Sequence, residues 1–215
     1  MQIIWGLILL TSLSLAHAGE WQLQTEQDGV AVFTRDVDGS NYQAFRGVTE
    51  VPVELNQAIA LMNDTEACPQ WMHNCKNPEL IHKFSPLKRI TFMVNDFPWP
   101  AKDRALLLEA SIAQEYPSRV VTVSLNSISE NELPENPLAP IPKNKAQIVE
   151  NAEGRFIFTP LSDTSTRVEY EMHLEPGGAL PAAAVNALIV ETPLKTLQNM
   201  QRVVQDAKYQ SFRPF

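Results

Sequence analysis

Residues 181–207 read PAAAVNALIVETPLKTLQNMQRVVQDA, and their apolar spacing decides how the rest of the chain is to be read. Ala184, Val185, Leu188 and Ile189 fall on one stripe. After Thr192-Pro193 the stripe resumes at Leu194, Leu197, Met200, Val203, Val204 and Ala207. Recurrence at three and four residues marks an amphipathic helix with one face on a core. Proline inside such a pattern breaks or bends the helix, because its ring removes an N–H and crowds the preceding turn. The spacing predicts one long helix from Pro181, or two collinear ones joined by a kink at Pro193.

Upstream of this element the period changes to two. Residues 21–26 and 30–36 alternate around Asp28-Gly29, a dipeptide suited to a tight hairpin turn. A third strand is expected over 42–48. Helical spacing starts at Pro52, with Leu55, Ala58, Ile59 and Met62 on one side, and a short second helix runs from Thr65 towards Trp71. Strands follow over 79–84, 88–95, 104–113, 120–127, 146–153, 155–159 and 166–174. Residues 130–145, rich in Pro and Asn, read as a long surface loop. Strands, a helical insert, many strands and one long helix make an α+β pattern. It predicts a largely antiparallel sheet with one face covered by the C-terminal helix.

The amino terminus is set apart from this domain. Ile3 to Leu15 form an apolar run too short to span a bilayer comfortably, and Ala16-His17-Ala18 supplies small residues for signal-peptide cleavage. No Lys or Arg precedes the run, and a retained anchor is the alternative reading. The expectation is a signal peptide over 1–18, one domain over 19–215, and an extracytoplasmic location in a periplasm or outside the cell. The formal charge of −8 lies wholly beyond residue 18 and no Lys/Arg cluster interrupts it. Such a surface argues against nucleic acid and against gripping anionic lipid by charge. Transient contact with a membrane or a carrier protein would rest on apolar surface, and a monomer is expected.

Cys68 and Cys75 are the only cysteines, and export would place them where disulfides persist. Seven residues on one continuous helix rise about 10.5 Å, beyond the ~7 Å limit between bridged Cα atoms. A bridge therefore requires residues 68–75 to bend back on themselves.

Five stretches, in order, carry a resemblance to a known family. They are Trp21 with Asp28-Gly29-Val30-Ala31-Val32-Phe33-Thr34-Arg35, Phe45-Arg46-Gly47 leading to Pro52, and Trp71. Pro98-Trp99-Pro100-Ala101-Lys102-Asp103-Arg104 follows, and then Gly177-Gly178-Ala179-Leu180-Pro181 with Val185-Asn186 and Pro193. Together they resemble the START domain, the steroidogenic-acute-regulatory-protein-related lipid-transfer module. The family's central Arg-Asp pair stands here as Lys102-Asp103, with Arg104 one place later, and lysine does not replace a bidentate arginine. The resemblance implies a helix-grip fold, a curved sheet around the C-terminal helix. It also implies an internal hydrophobic cavity for one sterol, phospholipid, ceramide or isoprenoid-like molecule.

Eleven residues are candidates to line that cavity: Arg104, Leu106 and Leu108, Tyr170 and Met172, then Leu180, Ala184, Val185, Leu188, Ile189 and Leu197. As ordinary core positions the apolar ones would look the same in sequence. Arg104, flanked by leucines, either points inward to orient a ligand or pair with a buried acid, or lies at the surface. Glu169 and Glu171 alternate with Tyr170 and Met172 and should face solvent. Gly177-Gly178 and Pro193 would let the helix swing as a lid, or form an ordinary turn and kink. No nucleophile elbow, phosphate-cradling loop or His-Glu-x-x-His helix is present. His73 with Cys68, Met72 and Cys75 fits no zinc spacing. Neither a metal, a cofactor nor a catalytic residue is expected. A cavity enzyme of the cyclase or hydrolase kind, found among related helix-grip proteins, is the rival to a binding protein.

Overall fold

The computed structural model describes residues 19–143, 145–178 and 180–213, without the side chains of Ala184 and Ala187. The expected signal segment 1–18 lies outside the described residues. The strands are β1 (Gln22–Gln27), β2 (Val30–Arg35), β3 (Ala44–Val51), β4 (Cys75–Ser85) and β5 (Lys88–Asn95), followed by β6 (Arg104–Gln114), β7 (Val121–Ser127), β8 (Gln147–Ile148), β9 (Asn151–Ser162) and β10 (Ser165–Glu175). The helices are α1 (Leu55–Asn63), α2 (Cys68–Trp71), α3 (Ala182–Leu188) and α4 (Glu191–Val203). The sheet runs β1-β2-β3-β10-β9-β7-β6-β5-β4, antiparallel throughout, with the two-residue β8 added parallel to β6. This is the α+β helix-grip arrangement.

Alternation builds the two faces. Val30, Val32 and Thr34 of β2 and Val168, Tyr170 and Met172 of β10 are buried inward. The odd partners on β10 face out. Glu169 and Glu171 pair with Arg46 and Arg167, and Glu171 also meets Arg155 at 2.8 Å. The Asp28-Gly29 turn holds both residues at positive φ, 51° and 73°, as a primed hairpin turn demands. α1 packs on β9 and β10, and α4 crosses β2 and β3.

Two expectations need correction. Residues 146–153 are not one strand: β8 is a separate parallel pair, and β9 begins at Asn151 and absorbs the segment expected at 155–159. The C-terminal helix breaks at Ile189-Val190 rather than at Pro193, which sits in the first turn of α4. First-turn N–H groups have no partner within the helix, so proline costs nothing there and starts the helix instead of kinking it.

Residues 130–145 form the surface loop expected, and parts of it pack inward. Ile128, Leu133, Ile141 and Ala146 pack on the outer face against Ile81, Ile90, Phe92, Val94, Ala105 and Leu107. The amide of Leu138 donates to Ile81 O at 2.7 Å. The segment is a strap that buries the outer face of β4–β6. It explains why Ala105 to Leu108 are apolar on both faces of one strand.

The segment after α1 bends as a disulfide would require. Asp64 accepts a bond from Ala67 N at 3.2 Å, a short 3-10 turn leads into α2, and Asn74 adopts φ 61°. Cys68 and Cys75 are bridged, with Cα atoms 6.0 Å apart.

Candidate ligand cavity

An apolar cavity of about 90 Å³ lies between the inner face of the sheet and α3. β6 supplies Leu106 and Leu108, β10 supplies Tyr170 and Met172, and α3 with the residue after it supplies Val185, Leu188 and Ile189. All seven were legible as candidates from alternation and helical spacing. Phe97, Val185 and Leu188 are also walls of an outer groove of about 670 Å³, bounded by residues 97–102 and the start of α3. On the other side Met72, Met93, Leu108 and Leu125 are shared with a distal pocket of about 50 Å³ beside Trp71 and Arg89. The cavity thus shares walls with a space on either side.

The remaining candidates lie elsewhere. Leu180 and Arg104 line the outer groove, not the cavity. Leu197 is wholly buried on the sheet-facing side of α4 and belongs to the core. The side chain of Ala184 lies outside the described ones. Sequence reading missed Phe45, Met72, Met93, Asn95, Phe97 and Leu125 as walls. The odd-numbered inward face of β5 could have pointed to two of them. The others depend on how far the sheet curls.

Arg104 is 3% exposed, yet it meets neither an acid nor the cavity. Its Nε donates to Pro176 O at 2.5 Å, Nη2 donates to Gly177 O at 3.0 Å, and Nη1 donates to Lys102 O. The guanidinium also stacks over Phe97 at 4.9 Å. Burial lowers its pKa, and three carbonyls occupy its fork. Arg104 thus fastens the turn before α3 to the start of β6. Gly177 and Gly178 take φ 66° and 71° in that turn, a region L side chains enter only with strain. α3 is therefore a seven-residue helix with a pinned glycine turn at one end and a break at the other.

Tyr170 stacks on Phe156 with ring centroids 4.1 Å apart and meets Phe45 edge-on at 4.9 Å. Burial pushes its phenol well above the usual range, so it stays neutral. Asn95 places a buried Oδ1 on the cavity wall with no hydrogen-bond partner among the described residues. The space is dry, aromatic and aliphatic, with few polar atoms to fix an orientation, which is the chemistry of a lipid site.

Known proteins agree with this geometry. The START domain family model matches residues 9–209. An uncharacterized protein of Pseudomonas aeruginosa is 28% identical over 209 residues, covering 93% of this chain and 98% of its own. The crystal structure of the STAR-related lipid transfer protein from Xanthomonas axonopodis superposes with a TM-score of 0.75 at 25% identity, covering 86% of this chain and 99% of that one. Human StAR-related lipid transfer protein 5 shares the fold, with a TM-score of 0.71 at 19% identity and 86% of each chain covered.

Proposed function

The chain belongs to the START domain family, whose members bind lipids and other hydrophobic ligands, and we propose that it holds one hydrophobic small molecule for carriage or sequestration. The observation that supports this reading is the apolar cavity under α3, which shares Phe97, Val185 and Leu188 as walls with the outer groove. Burying an alkyl tail there gains about 0.8 kcal/mol per CH₂. A cavity of about 90 Å³ is smaller than any lipid, so loading requires α3 to lift between its glycine turn and the break at Ile189-Val190. Met72, Met93 and Met172, all on the wall, can repack around different shapes. Trp99 on the groove's rim is 91% exposed, an apolar contact suited to a membrane or a carrier during transfer.

We further propose export after Ala18, so that carriage takes place in an extracytoplasmic space. The Cys68–Cys75 bridge supports it, since such bonds persist in oxidising compartments. Cell fractionation with amino-terminal sequencing tests this: a mature chain starting at Gly19 is expected, and a cytoplasmic chain retaining residues 1–18 would refute it.

Binding itself is tested by native mass spectrometry of the purified protein and by uptake of fluorescent lipids. A retained lipid, lost in Leu188→Glu while the circular dichroism stays native, is expected. Uptake of no lipid or sterol by the folded wild type would overturn the reading.

A further inference from the structure

Beyond a generic oily ligand, the distal pocket carries an electrostatic demand. The inward face of β5 presents Arg89, Thr91 and Met93 in turn, and Arg89 and Trp71 both line this pocket. Arg89 is 7% exposed. Its guanidinium donates to Asn63 Oδ1 and to Met62 O, and among the described residues no carboxylate pairs with it. The nearest acid in the pocket, Asp64, is held by Lys208 at 2.7 Å and by Tyr209 at 2.9 Å. Burial alone lowers the Arg89 pKa, to about 10, which leaves it charged at neutral pH. The C-terminal end of α1 offsets that charge only in part. Trp71 is 4% exposed, and its Nε1–H has no partner among the described residues. A buried donor without an acceptor costs on the order of 1–3 kcal/mol.

We infer that the ligand is an amphiphile with a carboxylate head, seated against Arg89 and Trp71, its tail running past Met72 and Met93 into the cavity. This rests on the binding function proposed above. A carboxylate accepts from both donors at once, and charge-assisted bonds of this kind are about twice as strong as neutral ones. The pocket holds about 50 Å³, several times the ~10–15 Å³ that one water needs, which is room for a small planar anion.

The test compares cis-parinaric acid with its methyl ester, which shares the tail and lacks the charge, by fluorescence titration at neutral pH. Wild type should bind the acid at least tenfold more tightly than the ester. Arg89→Met should abolish that preference, and Trp71→Phe, which keeps an aromatic ring, should weaken the acid several-fold and leave the ester unchanged. Equal affinities for acid and ester in wild type overturn the carboxylate subsite while leaving a lipid carrier intact. So does a folded Trp71→Phe with unaltered discrimination. Uptake of neither probe overturns the carboxylate subsite, while the carrier reading stands or falls with the wider lipid and sterol uptake described above.

Discussion

Gly47 lies directly beneath Leu197: a Cβ on residue 47 would stand 2.6 Å from Leu197 Cδ1 and 3.0 Å from Pro193 Cβ. The missing side chain lets α4 settle onto β3, and it explains why Leu197 is core and not cavity wall. Gly47→Ala forces α4 outward or Leu197 off its rotamer, a change that costs about 1–3 kcal/mol. Urea unfolding should show that loss, and Leu197→Ala in the same chain should recover part of it. An unchanged midpoint would mean that α4 is not seated as described.

Reduction of Cys68–Cys75 should destabilise the protein by roughly 2.5 kcal/mol, the loop-closure entropy of so short a ring. The bridge anchors α2, whose neighbour His73 donates its amide to Thr196 Oγ1 at 3.1 Å. Thermal melts with and without reductant, beside a Cys68→Ala/Cys75→Ala double variant, check the figure.

Arg104→Met strips donors from the carbonyls of Pro176, Lys102 and Gly177. A loss of about 2–3 kcal/mol is expected, and hydrogen exchange should rise in the turn before α3 more than in β7. Equal exchange at both places would deny Arg104 its anchoring role.

Asp64 gives the fold an acid limit. Burial raises its pKa, but the bonds from Lys208, Tyr209 and the Ala67 amide outweigh that and hold it below the ordinary 3.8. A group depressed in the folded state stabilises fully above its unfolded pKa and loses that stabilisation as pH falls through the folded one. The melting temperature of wild type should therefore fall more steeply below pH 3.8 than that of Asp64→Asn. Parallel curves would contradict the pairing.

Much of this was legible in the chain because it is local. The alternation of β2 and β10, the primed turn at Asp28-Gly29 and the stripe through Leu188 each follow from neighbours in sequence. The bend between Cys68 and Cys75 follows from helix geometry once the two are bridged, and the bridge itself was not fixed by the sequence. Arg104 was only half legible: its burial was one of the readings, but two of its three partners are backbone carbonyls more than seventy residues away, which carry no signature in residue type. Arg89 and Trp71 share a pocket through tertiary packing of residues that lie on separate elements, β5 and α2. Besides the inward face of β5, an overlooked local signal was Ala105-Leu106-Leu107-Leu108, since an unbroken apolar run marks a strand covered on both faces.

The strap over residues 128–146 has a consequence for how copies of this protein meet. β4 is a border strand of an open sheet, and a bare border invites pairing with another chain. Ile81 O on that border is already taken by the amides of Leu138 and Ala139. Three interruptions in its pairing with β5 leave it uneven, and Lys76 and Lys83 add charge along it. The same segment that covers Phe92 and Leu107 thus also denies a second molecule a straight template, guarding the protein against stacking into fibres.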